Sequence, residues 1–221
     1  MHEQPLDHTA LPPLGAGLLP DLVDGLAESG WHVARNAVPG HLVEAMAADL
    51  ERLAQAGRLR DSAIGKGSTH RAGGATRSDR VLWLPAEPEN AAQAAYAALV
   101  EHYRRELNRE LYLGLNAFEG HYASYGPGAR YARHLDRFRS DDARVVSFIL
   151  YLNTDWQPDD GGALRLYLDD ERHLDVMPEG GTLVSFMSER FWHEVLPATR
   201  TRLSVTGWFL RDPRLSMLGL R

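Results

Sequence analysis

Residues 144–187 read RVVSFILYLNTDWQPDDGGALRLYLDDERHLDVMPEGGTLVSFM. Four short apolar runs lie in this stretch, RVVSFILYLN, GALRLYL, RHLDVM and GTLVSFM, with turn-forming clusters such as Asp-Asp-Gly-Gly and Pro-Glu-Gly-Gly between them. Outward from it the pattern continues, with FEGHYASYG and YARHLDRF on the N-terminal side and FWHEVLPA and RLSVTGWFL on the C-terminal side. Eight short strands between about residues 111 and 210 predict a closed barrel or a jelly roll.

The N-terminal half has a different period. Residues 1–19 contain Pro5, Pro12 and Pro13 and are expected to form a poorly ordered tail. LPDLVDGLAESG predicts a short helix with a glycine stop. PGHLVEAMAADLERLAQAG predicts a stronger one, in which Leu42, Met46, Leu50 and Leu53 recur at helical spacing between Pro39 and Gly57. PENAAQAAYAALVEHYRRELNREL predicts a third, with Ala95, Leu99, His102 or Tyr103, and Leu107 on one stripe. Helices over about 20–110 and strands over about 111–210 give an α+β class, in one domain spanning 20–221. Between the second and third helices, RDSAIGKGSTHRAGG leads into a strand, RVLWL; the segment 60–80 reads either as a mobile substrate loop or as an exposed hairpin. GKGST lacks the earlier glycine of a phosphate loop and is set aside.

A formal net charge of −6 argues against a basic nucleic-acid-binding surface. The absence of cysteine excludes disulfides, thiolate metal sites and cysteine nucleophiles, so any metal must be held by His, Asp or Glu. No apolar run reaches the roughly 20 residues of a membrane helix, and the N-terminus lacks the basic start and apolar centre of a signal peptide. A soluble, cytoplasmic protein is the default expectation.

The tetrapeptide Arg-His-Leu-Asp occurs twice, at 133–136 and at 172–175. Residues two apart on a strand share a face, so either copy could present a His and an Asp together. The second copy follows the charged run YLDDE, and Leu174 and Val176 take the face opposite His173 and Asp175. That leaves the pair facing water on an amphipathic strand. The first copy has small Ala132 on its His/Asp face and can draw a third ligand, His193, from far along the chain, as a jelly roll requires. His134, Asp136 and His193 would form the two-imidazole, one-carboxylate set of non-haem Fe(II), with coordination positions left open for reaction. The alternatives are a buried histidine pair in a polar network and an adventitious metal site. Arg202 follows His193 on a strand that would project it into the barrel, where an arginine needs an anion. Its planar fork suits a carboxylate, and Arg200, of the same strand parity, competes for that role.

From about Arg77 to Phe209, the stretches RSDRVLWL, YARHLD, VVSFILYLN followed by DW, GGALRLY, HEVLPA and RLSVTGWF, in this order and spacing, resemble the prolyl hydroxylase branch of the Fe(II)- and 2-oxoglutarate-dependent dioxygenases. That branch includes the animal oxygen-sensing enzymes and their bacterial relatives. The chain departs from the family in reading YGPGA before the triad, where Tyr-Pro-Gly-Asn-Gly is common. It also has Leu150 where a second tyrosine is frequent.

The resemblance implies a double-stranded β-helix (jelly-roll) core with N-terminal supporting helices, and iron bound by His134, Asp136 and His193. It implies that Arg202 pairs with the distal carboxylate of 2-oxoglutarate, assisted by Tyr151, with Tyr125 in the same pocket and Leu164 and Trp208 as apolar walls. Fe(II) is the implied cofactor, 2-oxoglutarate and O2 the cosubstrates and ascorbate an optional reductant; no catalytic residue beyond the metal site is required. The implied activity is prolyl 4-hydroxylation of a protein loop, with release of succinate and CO2, and bacterial members are associated with a translation elongation factor of the Tu type. The partner is then a protein bearing a target proline, with no nucleic acid and no membrane. The alternatives are a hydroxylase of a free amino acid or small metabolite, and a non-catalytic metal-binding jelly-roll module. Arg130, Arg133, Arg137 and Arg139 read either as a cationic site mouth or as a solvated face balanced by Asp141 and Asp142.

Overall fold

The computed structural model describes residues 18–64, 71–72, 76–136 and 143–212. Its helices are α1 (Leu18–Glu28), α2 (Gly40–Gln55) and α3 (Ala91–Leu111). The expected strands appear as β5 (Arg80–Trp83), β6 (Ala117–Tyr125), β7 (Tyr131–His134), β8 (Arg144–Tyr151), β9 (Leu164–Tyr167), β10 (His173–Val176), β11 (Leu183–Met187), β12 (His193–Val195) and β13 (Arg202–Leu210). Four more are short: β1 (Trp31–Ala34), β2 (Arg60–Asp61), β3 (Ala63–Ile64) and β4 (Arg71–Ala72). The N-terminal half is therefore not purely helical. Residues 1–17 of the expected tail lie outside the described residues; α1 begins at Leu18, and Pro20 sits in its first turn, where a missing N–H costs nothing.

Two antiparallel sheets form the jelly roll. The major sheet runs β1-β11-β8-β13-β6-β5-β2 and the minor sheet β10-β9-β12-β7. Within the segment 60–80, β3 pairs with β4, Ala63 opposite Ala72 and Ile64 opposite Arg71; residues 65–70 and 73–75 lie outside the described residues.

Period-two alternation on β8 explains why the major sheet has two cores. Val146, Phe148 and Leu150 enter the cluster shared with the helices, while Ile149 and Tyr151 enter the cluster between the sheets. A strand buried on both faces reads as a continuous apolar run, as this one does. On α3 the buried stripe is Tyr96, Leu99, Val100, Tyr103 and Leu107, so Tyr103 rather than His102 faces inward. Asn90 caps this helix, accepting the Gln93 N–H at 3.0 Å. Among the described residues, no helix is long and apolar enough to cross a membrane.

A buried polar knot fixes the helices to the sheet. Asp49 of α2 accepts from Tyr122 Oη of β6 at 2.9 Å, Gln93 Nε2 of α3 at 2.9 Å and Arg52 Nη2 at 2.6 Å. Burial alone raises the Asp49 carboxyl, but the hydrogen bonds from Gln93, Arg52 and Tyr122 outweigh it and hold the group below the usual carboxylate range. A depressed carboxyl contributes stability above its unfolded-state pKa and loses it as pH falls through the folded-state value. Asp49→Ala, which strands two buried donors, should lower unfolding free energy by about 1–3 kcal/mol at pH 7. In denaturant titrations at stepwise lower pH, the gap from wild type should narrow.

Candidate active site

The site begins with a register. In the minor sheet His193 of β12 lies directly opposite His134 of β7, and Asp136 follows just past the end of β7. Their ligand atoms all lie within 4.8 Å of one another. His134 Nε2 is 3.7 Å from Asp136 Oδ1, and His193 Nε2 is 3.5 Å from Asp136 Oδ2. Each histidine places Nδ1 on a backbone carbonyl, His134 on Ala132 at 2.8 Å and His193 on Phe191 at 3.1 Å. A carbonyl only accepts, so Nδ1 carries the proton and each Nε2 turns a lone pair inward. Burial, then the neighbouring His193, push His134 down to about 3, so it is neutral near pH 7. Burial raises the Asp136 carboxyl, but the imidazoles of His193 and His134 outweigh this and hold it at about 2. Ser147 Oγ also donates to Asp136 Oδ2 at 2.7 Å and has Ser188 Oγ behind it at 2.9 Å. The Trp208 Nε1 has no hydrogen-bond partner among the described residues.

The second copy of the tetrapeptide takes no part. His173 and Asp175 are exposed on β10, and Asp175 accepts two hydrogen bonds from Arg165, at 2.8 and 2.7 Å. Among the described residues the first copy with His193 is the one group able to hold a metal ion.

The triad lines a cavity of about 570 Å³, together with Tyr125, Leu164, Arg202 and Trp208. Arg202 is 2% exposed. Its Nε donates to the Gly162 carbonyl at 2.9 Å, and no ion pair to it is found among the described residues. Gly162 holds φ +73°, and a Cβ there would lie 2.9 Å from Ala198 Cβ, so the turn that aims this carbonyl requires glycine. The Arg202 guanidinium lies 5.1 Å from the Tyr125 ring centroid and 4.9 Å from that of Tyr151. Tyr151 is not a wall of the open cavity; its hydroxyl is buried beside Arg202 with no hydrogen-bond partner among the described residues. A buried guanidinium without an anion and an unsatisfied phenol together fit a ligand carboxylate. Arg200 is half-exposed, over Trp156 and hydrogen-bonded to the Asp155 carbonyl and Asp160, which removes it as the rival anchor.

Several lining residues carried no individual signal in the sequence. Arg77, Trp83, His121, Tyr131 and Arg144 all face the cavity. Arg77 is clamped by Asp79, and Arg144 lies 3.5 Å over the Trp208 ring and bonds Glu119. Ser147 could have been found as a polar residue on the inward face of an apolar strand. Of the expected arginine cluster, Arg133 sits on the outer side of the minor sheet over Tyr167 and Trp192, away from the mouth, because strand alternation sends it opposite to His134. Arg137 and Arg139 lie outside the described residues.

Two imidazoles and a carboxylate on the inner wall of a jelly roll define a mononuclear metal centre with open positions, which fits Fe(II). The family model described as 2OG-Fe(II) oxygenase superfamily matches residues 120–210. A crystal structure of a Pseudomonas putida prolyl-4-hydroxylase is 44% identical, superposes with a TM-score of 0.81 and covers 88% of this chain and 99% of its own. The Caenorhabditis elegans hypoxia-inducible factor prolyl hydroxylase is 28% identical over 86% of this chain, which spans 28% of that relative's length. A Trichoplax adhaerens prolyl hydroxylase, 23% identical, shares the fold with a TM-score of 0.80, covering 90% of this chain and 92% of its own. The chain belongs to the prolyl hydroxylase branch of the 2OG-Fe(II) oxygenases. Its family requires Fe(II), 2-oxoglutarate and O2.

Replacing Ser147 with Ala should weaken metal binding about tenfold, since losing a hydrogen bond behind a ligand typically has that effect. The rise in melting temperature produced by Mn(II) should shrink accordingly at a fixed metal concentration.

Proposed function

We propose that this protein is an Fe(II)- and 2-oxoglutarate-dependent prolyl 4-hydroxylase acting on a proline within a protein loop. The observation that carries the reading is Arg202, buried with no anionic partner among the described residues beside a Tyr151 hydroxyl likewise unsatisfied among them, in the same cavity as His134, Asp136 and His193. The similarity to the Pseudomonas putida prolyl-4-hydroxylase over nearly all of its length supports the choice of reaction. The nematode relative is named as a prolyl hydroxylase of hypoxia-inducible factor, which supports a polypeptide substrate. Among proteins, a translation elongation factor of the Tu type is the substrate implied by the resemblance to bacterial members, and we place it first.

His134 and His193, as neutral imidazoles, and Asp136, as a carboxylate, would hold Fe(II) with a set carrying one negative charge. Bound there, the iron supplies the redox chemistry by which O2 and 2-oxoglutarate become succinate and CO2, one oxygen atom entering succinate and the other the prolyl C4–H bond. Arg202 would take the distal carboxylate of 2-oxoglutarate in a two-pronged grip, with the Tyr151 hydroxyl donating to the same group. Burial raises the Tyr151 hydroxyl above its ordinary value, although Arg202 opposes this, so it stays protonated and able to donate. Leu164, Tyr125 and Trp208 would exclude water and keep the diacid in one orientation. No side chain has to act as a general base.

The test is mass spectrometry of purified elongation factor Tu and of proline-bearing loop peptides, incubated with enzyme, Fe(II), 2-oxoglutarate and air. A proline heavier by one oxygen atom, matched by succinate release, is the expected result. Oxidation of free amino acids alone would replace the substrate class, and absence of succinate with every substrate would favour a binding module. Arg202→Ala should raise the KM for 2-oxoglutarate about thirtyfold or more, since removing one partner of a buried charge pair costs about 2–5 kcal/mol.

A further inference from the structure

Tyr131 and His134 should not meet. Residues three apart on a regular strand point to opposite faces, yet these two rings stack, with centroids 3.6 Å apart and planes at 15°. The pairing of β7 with β12 supplies the reason. Val195 and His193 oppose Tyr131 and His134, so two steps along β12 match three along β7. The extra residue makes a β-bulge, a device that re-aims side chains.

The bulge is held from outside by residues just before β5. Ala132, within it, accepts the His134 Nδ1–H on its carbonyl at 2.8 Å and donates its own N–H to the Thr76 carbonyl at 2.8 Å. Arg77 forms a backbone bridge to Tyr131, and its guanidinium carbon lies 4.6 Å from the Tyr131 ring centroid. Two hydrogen bonds to Asp79, at 2.6 and 2.8 Å, hold that guanidinium in place, and the two side chains are 13% and 0% exposed. Residues 76–79 thus reach His134 by two routes, one through the Ala132 peptide and one through the Tyr131 ring.

We propose that Arg77 and Tyr131 are positioning residues that set the ring plane of His134, so that the geometry of the metal centre is governed by the segment entering β5. This rests on the reading of His134, Asp136 and His193 as the iron ligands. Neither residue touches the ion; each acts through the imidazole, as hydrogen-bonded supports of metal-binding histidines do.

The experiment is titration of the metal-free protein with Mn(II), followed by calorimetry and by low-temperature EPR of the bound ion. Tyr131→Leu should bind Mn(II) about tenfold more weakly and change the EPR line shape, because the ligand field is altered. Tyr131→Phe, which keeps the stacked ring, should stay within about twofold of wild type with an unchanged spectrum. The double variant Arg77→Met/Asp79→Asn removes the cation without stranding a buried carboxylate and should weaken binding severalfold. Wild-type affinity and spectrum in Tyr131→Leu, or an equal loss in Tyr131→Phe, would overturn the proposal. If Tyr131→Leu does not fold, the double variant decides, with wild-type affinity counting against. His134→Ala separates the two readings: if it retains Mn(II) binding, the metal-site assignment fails, whatever the Tyr131 variants do.

Discussion

The antiparallel pairing that puts His193 opposite His134 is the constraint on which the molecule's chemistry depends. A ligand set drawn from one short segment could be held by a loop. This one draws on two strands with four others between them in the chain, so the jelly roll must close before the site exists. Once it has closed, little adjustment is needed. The carbonyls of Ala132 and Phe191 fix both imidazoles, and Ser147 fixes the carboxylate from the neighbouring sheet. Burial and mutual electrostatics then leave His134 neutral and Asp136 ionised, the states in which each can bind a cation.

The same closure isolates Arg202. On β13 it is paired with Tyr125 of β6 and faces the space between the sheets. Its hydrogen bond to Gly162 orients the guanidinium without neutralising it. A buried cation with no counter-ion is costly unless a ligand completes it. In the proposed reading that cost reserves a place for a diacid, and the Tyr151 hydroxyl, unsatisfied among the described residues, adds to it. The helices contribute at a distance, with Asp49 tying α2 and α3 to β6, the strand that carries Tyr125 and His121.

Much of this was legible in the chain. Turn clusters and apolar runs located the jelly-roll strands because those strands are bounded by glycine and proline and packed on at least one face. The contrast between the two Arg-His-Leu-Asp copies was legible because one sits in a charged amphipathic strand, and the structure leaves His173 exposed there. Arg202 was favoured over Arg200 through family resemblance, since parity alone leaves both on one face. What escaped was set by tertiary pairing. β1 is four residues after a glycine stop, too short to show a period, and exists because β11 offers it an edge. The bulge in β7 has no local signature, so the stacking of Tyr131 on His134 and the roles of Thr76 and Arg77 were invisible. For Arg133 the sequence allowed either a site mouth or a solvated face, and alternation sends it to the outer, solvated one.

The most direct test is a crystal structure grown anaerobically with Mn(II) and 2-oxoglutarate, using the anomalous signal to place the ion. A peak bonded to His134 Nε2, Asp136 and His193 Nε2, with the far carboxylate of the diacid on Arg202 and Tyr151, is the predicted result. An ion bound elsewhere, or a diacid seated away from Arg202, would contradict it.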